Sequence, residues 1–469
     1  MEVNMPQENS AAGRDARYML HGYCDLATNR KLGSSVISGG EGIYVYDENG
    51  TIYLEGAAGM WCTAFGFGEE EIIEAAVEQL YKLPYYHTLA YKSVNPAIDL
   101  AEKLSQIVPI DDAKVHFALS GSEANDFLIK FTRYYNNSIG RPEKKKIISR
   151  INGFHGATIG AASLSGIPVM HKAFDLPINN IVHITEPNWF HNAYPGESIE
   201  EFTNRLTEEL ANVIMAEGPE TIAGFIAEPI TGAGGVIIPP ENYYPKIQEI
   251  LHKHDIMFFA DEVICGFGRT GKMWGCETMG IQPSTMTLAK SLTSAYQPLS
   301  ALIINDQMYQ GMEKGCDQIG FFGHGTTYGG HPVSCAVALK VIELFERRNM
   351  LTHIQNVSIH FNDHIAKLKE HPLVGQVRSK GLLAAVELIA DKKNKRFFEP
   401  MGSVAKRVKD CAEETHKLII RQVPCGDTCA FSPPLIITEN EIDDMFGRFT
   451  LALDQITDEL TKENLINVY

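Results

Sequence analysis

The chain has 469 residues, 44% hydrophobic and 21% charged, which is ordinary for a globular enzyme and leaves room for two or three average domains, or one large α/β unit with an appendage. Its net charge of −17, from 41 Lys+Arg against 58 Asp+Glu, sets the surface against phosphate backbones; the most basic run, Lys144 to Lys146, reads as a solvated turn, so no nucleic-acid partner is expected. No stretch approaches the roughly 18–20 apolar residues of a membrane span, and Glu2, Glu8 and Asp15 argue against a leader segment, so a soluble, cytoplasmic protein is expected.

The first legible element is a hairpin. Gly42–Leu54 (GIYVYDENGTIYL) holds two alternating runs around Glu48-Asn49-Gly50, and Asn-Gly favours a tight primed turn. From Glu69 the pattern becomes helical, with IIEAAVEQL placing apolar residues three and four apart. Lys114–Leu119 reads as a strand, Ser122 to about Tyr135 as a helix and Lys146–Ser149 as a strand. Ala223–Ala227 is a short apolar strand, Tyr243–His254 an amphipathic helix, and Ile256–Ala260 and Thr285–Ala289 are apolar and strand-like. That βαβ order predicts a mostly parallel sheet covered by helices. Val333 to about Glu346 is helical, and Gly381–Leu388 and Ala430–Ser432 are strands. The expected architecture is α/β: a large central domain over 71–340, and a small α+β domain built from both chain ends, 1–70 and 341–469. Nine scattered cysteines without a paired CxxC support neither a disulfide framework nor a zinc site, and no metal is expected.

Three junctions carry chemistry. In VHFALSGSEAN a strand ends, small residues follow and a helix begins; Ser120 and Glu123 have capping-box spacing, and Gly121 permits a tight turn. The positive helix end, with the Ser120 and Ser122 hydroxyls, would favour a phosphate, although a well-capped helix reads the same way. Glu228 and Pro229 follow an apolar strand, where ligands of open α/β sheets bind. Asp261 and Glu262 follow the strand IMFFA, and the segment Thr285–Ala289 ends in Lys290. Two neighbouring strand ends would then present a carboxylate and an amine to one crevice. A desolvated lysine can form a Schiff base with an aldehyde, and a carboxylate keeps a facing pyridine nitrogen protonated. Either residue alone would read as a solvated surface charge; the combination points to a site.

SGSEAN at 120–125, NGFHG at 152–156, AEPI at 227–230, DEVICGFGRTG at 261–271, LAK at 288–290 and GTTYGGHP at 325–332 together resemble the class III aminotransferases, in order and over nearly the whole chain. The resemblance implies the aspartate-aminotransferase fold (fold type I of the pyridoxal-phosphate enzymes) and pyridoxal 5'-phosphate as cofactor. It implies Lys290 as the Schiff-base lysine and proton carrier, and Asp261 as partner of the pyridine nitrogen. Val263 and Phe154 would pack on the two ring faces, Ser120, Gly121 and Ser122 would cradle the phosphate, and His155 belongs to the same cofactor-binding set. Glu228 would lie near the phenolic oxygen. Thr327 would reach the phosphate of the neighbouring subunit, which implies a homodimer.

Within the family the start YLEGAAGMWCTAFGFG resembles the ω-amino-acid or amine:pyruvate group, in which Trp61 would line the substrate pocket, with Tyr86 beside it; a core role for Trp61 is the alternative. Ala233 stands where ornithine- and 4-aminobutyrate-type relatives have a glutamate that pairs with a switch arginine. Arg421 is the candidate grip for a keto-acid carboxylate, whose two oxygens match a guanidinium fork. Serine follows Lys290 where glycine is common, and Phe154 replaces a frequent tyrosine. The expected reaction moves an amino group from an amine or ω-amino acid to pyruvate or a similar keto acid. Lyases, decarboxylases and racemases share the fold, the lysine and the aspartate, and form the alternative.

Overall fold

Seven short apolar strands form the central sheet in the computed structural model, which describes residues 7–466; Glu2, weighed above, lies outside them. Their spatial order is Lys114–Ala118, Ser300–Ile304, Thr285–Leu288, Met257–Asp261, Ile222–Ala227, Lys146–Arg150 and Ile181–Ile184. Ser300–Ile304 runs antiparallel to both neighbours, and every other pairing is parallel. All six residues of Ile222–Ala227 are buried, as a strand covered on both faces requires. Alternate residues serve opposite faces: Phe225 and Phe258 pack with the helix residues Phe202, Tyr243 and Tyr244, while Ile226 and Phe259 pack with Phe127, Leu128 and Phe131. The expected α/β fold with a mostly parallel sheet is present.

The two chain ends meet. Strand Leu418–Ile419 adds in parallel to Ile52–Glu55, with Leu418 opposite Leu54, completing a four-stranded sheet that begins in the N-terminal hairpin. A separate antiparallel sheet orders Val374–Lys380, Leu383–Leu388, Asp427–Phe431 and Arg421–Val423. One core joins Leu54 and Phe65 to Phe361, Phe431, Phe446 and Phe449. Helix Pro332–Arg347 runs through position 340 and packs Val337 and Val341 into this core and Cys335, Ala338 and Ile342 into that of the large sheet.

The hairpin turn differs from expectation. The type I′ turn that Asn-Gly favours needs positive φ at both central residues; here only Gly50 adopts it, at 80°. The Asp47 carboxylate accepts the amides of Asn49 and Thr51, each at 2.9 Å, and so stabilises a longer turn closed by Gly50. None of the nine cysteines is in a disulfide, and no described helix is long and apolar enough to cross a membrane.

Candidate active site

A cavity of about 320 Å³ opens at the carboxyl ends of the central strands. It is lined by Ser120, Gly121, Ser122, Phe154, His155, Glu228, Asp261, Val263 and Lys290. These residues come from separate junctions of the sheet, and the fold brings them together.

At one end, helix Gly121–Ser138 begins with Ser120 as its cap, the hydroxyl accepting the Glu123 amide at 3.2 Å. The expected capping box closes only on this side. The Glu123 carboxylate reaches past Ser120 and accepts the Leu119 amide at 2.7 Å, pinning the strand-to-helix joint one residue earlier. First-turn amides have no acceptor within their helix, so this end of the cavity offers N–H groups and a positive dipole. A β-carbon on Gly121 would sit 3.0 and 3.4 Å from the Val263 methyls, so glycine lets the helix start close to the valine without displacing it. Ser122 Oγ accepts the Ala157 amide at 3.0 Å, tying in the loop that carries Phe154 and His155.

At the other end stand Asp261 and Lys290, from adjacent parallel strands in which Asp261 lies opposite Thr287. Asp261 is 2% exposed and its carboxylate is held from three sides: Oδ1 accepts the Val263 amide at 3.1 Å, and Oδ2 accepts Asn125 Nδ2 at 2.9 Å and lies 2.8 Å from His155 Nδ1. Glu228 accepts the Phe154 amide at 2.9 Å on one oxygen and the Gly232 amide at 2.8 Å on the other; burial pushes its pKa up. Lys290 follows strand Thr285–Leu288 with a positive φ of 51°, an uncommon conformation for a side-chain-bearing residue. Loss of solvent around its amine pulls the pKa below the ordinary lysine range, against the pull of Asp261. A less protonated amine beside a fixed carboxylate suits carbonyl chemistry.

Asn125 escaped the sequence reading although it ends the quoted motif SGSEAN. Its amide donates to Asp261 and, at 2.7 Å, to the His155 carbonyl, and its oxygen accepts Thr287 Oγ1 at 2.8 Å. The available signal was an asparagine one turn inside an apolar helix face, a position that demands partners.

The substrate candidates and Thr327 lie elsewhere. Trp61 is not among the residues lining the cavity: it is 2% exposed and shares an apolar cluster with Ile230, Ile264, Leu383 and Val423, of which Ile264 lines the cavity. Its backbone has a positive φ of 64°. Arg421 opens strand Arg421–Val423, opposite Ala430, away from the cavity lining. Its guanidinium is half-buried, which lowers its pKa, against attraction from Glu55 and Tyr23. Tyr86 is 42% exposed and stacks on His87 at 4.7 Å. Thr327 is exposed, its carbonyl accepting Tyr85 Oη at 2.8 Å, and it is not among the residues lining this chain's own cavity.

The cavity fits pyridoxal phosphate on its donor set: helix amides and hydroxyls for a dianion at one end, a buried carboxylate and a depressed lysine at the other, and Phe154 and Val263 between. The sequence matches the family Aminotransferase class-III over residues 27–453. It is similar to a diaminobutyrate–2-oxoglutarate transaminase of Halomonas elongata, with 42% identity over 434 residues and 92% of each chain covered. It is also similar to the chloroplastic gamma aminobutyrate transaminase 3 of Solanum lycopersicum, with 43% identity over 89% of this chain and 80% of that one. The fold superposes on the crystal structure of an omega transaminase from Pseudomonas jessenii in complex with PMP, with TM-score 0.95 and 45% identity, covering 97% of this chain and 99% of that one.

Proposed function

Because the chain belongs to the class III aminotransferases, pyridoxal-phosphate-dependent transaminases, we propose that it moves the amino group of an amine or ω-amino acid to pyruvate, giving an aldehyde or ketone and alanine. The observation that carries the reaction type is the Lys290 amine and the clamped Asp261 carboxylate facing one cavity with the amide-rich start of helix Gly121–Ser138.

Ser120, Gly121 and Ser122 would hold the phosphate, Val263 and Phe154 the ring faces, Asp261 the ring nitrogen and Glu228 the phenolic oxygen, with His155 and Asn125 orienting Asp261. The bound cofactor supplies an aldehyde that accepts the amino group and a ring that accommodates the electron pair left when the donor's C–H bond breaks. Lys290 Nζ, its pKa depressed, takes the proton from the donor carbon and hands it on within the same cavity. Asp261, without solvent and held by three donors, supplies a fixed negative charge opposite the positive helix end.

The donor class is supported by the names of the relatives, which act on diaminobutyrate and gamma aminobutyrate. The acceptor reading rests on Ala233, which offers no carboxylate to hold a switch arginine, and on Arg421, whose guanidinium makes no hydrogen bond among the described residues. We assign Arg421 as the grip on the keto-acid carboxylate, and Trp61, which shares a cluster with the lining residue Ile264, together with Tyr86 as the bounds of the amine pocket. The enzyme acts as a homodimer in which Thr327 completes the phosphate site of a second copy; its exposure and its absence from its own chain's cavity lining support this. Cysteines that stay unpaired support a reducing compartment, the cytoplasm.

Separated half-reactions test the proposal. The holoenzyme is given 4-aminobutyrate or a simple amine until its visible band bleaches, freed of donor, and offered pyruvate or 2-oxoglutarate. Recovery of the band with pyruvate, and none in Lys290→Ala, is expected. Recovery with 2-oxoglutarate alone would replace the acceptor, and failure to bleach with any donor would remove amino transfer itself.

A further inference from the structure

Far along the chain from the cavity's motifs, two long helices of the C-terminal part, Met350–Leu368 and Glu439–Lys462, pack against each other and share Phe361 and Phe446 in their core. On the first, His360 and His364 are four residues apart, one helical turn, and therefore on one face. On the second, Asp443 lies in the opening turns. The Nε2 atoms of His360 and His364 each lie 2.7 Å from the same oxygen, Asp443 Oδ1. The three donor atoms are within 4.8 Å of one another.

The rings are oriented by packing. His364 lies flat on Phe446, with centroids 5.2 Å apart and planes 6° apart, and Phe446 is itself buried. His360 meets His364 edge-on at 4.8 Å. The histidine side chains are 32% and 22% exposed and Asp443 is 55% exposed, so the cluster is backed by the protein and open to water on one side.

We propose that His360, His364 and Asp443 bind one divalent transition ion of the zinc type, with water as its fourth ligand. Without an ion, both imidazoles direct Nε2 at a single carboxylate oxygen, which must take two donors at once. With an ion, the same three atoms become a two-nitrogen, one-oxygen set, and an imidazole-rich set selects zinc-like ions over magnesium or calcium, which prefer oxygen. At bond lengths of about 2.0–2.1 Å in a tetrahedron the donor atoms sit about 3.3 Å apart. Each histidine therefore draws back from Asp443 by about half an ångström, a small side-chain rotation at a partly exposed position. The bound ion clips together helices whose ligands are 79 and 83 residues apart in sequence, so it ties ion binding to the stability of the C-terminal part.

The tag-free holoenzyme is titrated with zinc chloride and, for a spectroscopic readout, cobalt(II) chloride, alongside His360→Ala, His364→Ala and Asp443→Asn. One ion per chain with a tetrahedral cobalt spectrum is expected, with each substitution weakening binding at least tenfold. Zinc should raise the wild-type Tm but not that of His364→Ala, and magnesium should leave Tm unchanged. Each variant should keep wild-type transaminase activity in zinc-free buffer, showing an intact fold. Zinc stoichiometry and affinity unchanged in the His360→Ala/His364→Ala double variant would overturn the proposal, as would no saturable binding in the wild type.

Discussion

Asp261 is held by donors from three separated parts of the chain, and the weakest link to replace without touching the cavity is Asn125, itself 0% exposed. A hydrogen bond to a charged group contributes about 1.5–3 kcal/mol. In Asn125→Ala the carboxylate keeps His155 and the Val263 amide but gains freedom to turn, and the Thr287 hydroxyl and the His155 carbonyl each lose a partner. We expect cofactor affinity to fall roughly 10- to 100-fold, by that same free energy, with kcat lower even at saturating cofactor. A fluorescence titration of apoenzyme, with rates at saturation, checks this; affinity and kcat both at wild-type values would show that Asn125 merely fills space. Most of the cavity was legible at this scale because Lys290, Asp261 and Glu228 each end a short apolar strand, a local pattern. Asn125 was not, because its three partners come from elsewhere in the sheet. The roles of Trp61 and Arg421 were less legible for a related reason: whether a tryptophan lines a pocket or fills a core depends on residues such as Ile230, Leu383 and Val423, which no neighbouring residue announces.

At the scale of elements, the strands and helices were read within a few residues of their ends, because uninterrupted apolar runs and three-and-four spacing report the sheet and its covering helices directly. The joints were harder. The Asp47 carboxylate redirects the hairpin turn, and Glu123 caps one residue earlier than the capping-box pattern requires. One tight joint is where the loop carrying Phe154 and His155 crosses the start of helix Gly121–Ser138. Gly156 has φ of 135°, and a β-carbon there would lie 2.5 Å from Ser122 Oγ, 2.6 Å from Ser122 Cα and 2.7 Å from Ala161 Cβ. The loop is otherwise fastened by Ala157 N to Ser122 Oγ and by Ala161 N to Asp126 Oδ1 at 2.8 Å. Two of the colliding atoms are a backbone carbon and a buried methyl, so the loop must lift. Overpacking of this kind costs about 1–3 kcal/mol. Gly156→Ala should lower the Tm of the apoenzyme and weaken cofactor binding more than it lowers Tm would imply, since the lifted loop takes Phe154 with it. Scanning calorimetry with cofactor titration reads both, and a variant with wild-type Tm would mean that the crossing has slack.

At the scale of the whole molecule, one expected site residue, Thr327, lies on an exposed surface outside the cavity lining. Tyr85 donates to the Thr327 carbonyl at 2.8 Å, Thr88 Oγ1 donates to the Gly329 carbonyl at 2.9 Å, and the Tyr85 and Tyr328 rings meet at 5.8 Å. This joins Thr327 to a patch on which Tyr85 is 38% and Tyr328 54% exposed. Clustered aromatic exposure of this kind suits the proposed dimer interface. A second copy seated there would deliver Thr327 to a cavity its own chain does not let it reach, so cofactor retention should depend on dimerisation. Tyr328→Glu, which places a charge in the patch while leaving every residue of the Lys290 cavity unchanged, should shift the protein to monomers and release cofactor together. Thr327→Ala should leave the dimer intact and weaken cofactor retention alone, by the loss of one charge-assisted hydrogen bond, about 10-fold or more. Light scattering coupled to gel filtration, with cofactor absorbance read on the same peaks, separates the two. A Tyr328→Glu monomer that retains its cofactor as tightly as wild type would show that each chain binds it alone, and Thr327 would then have no place in the site.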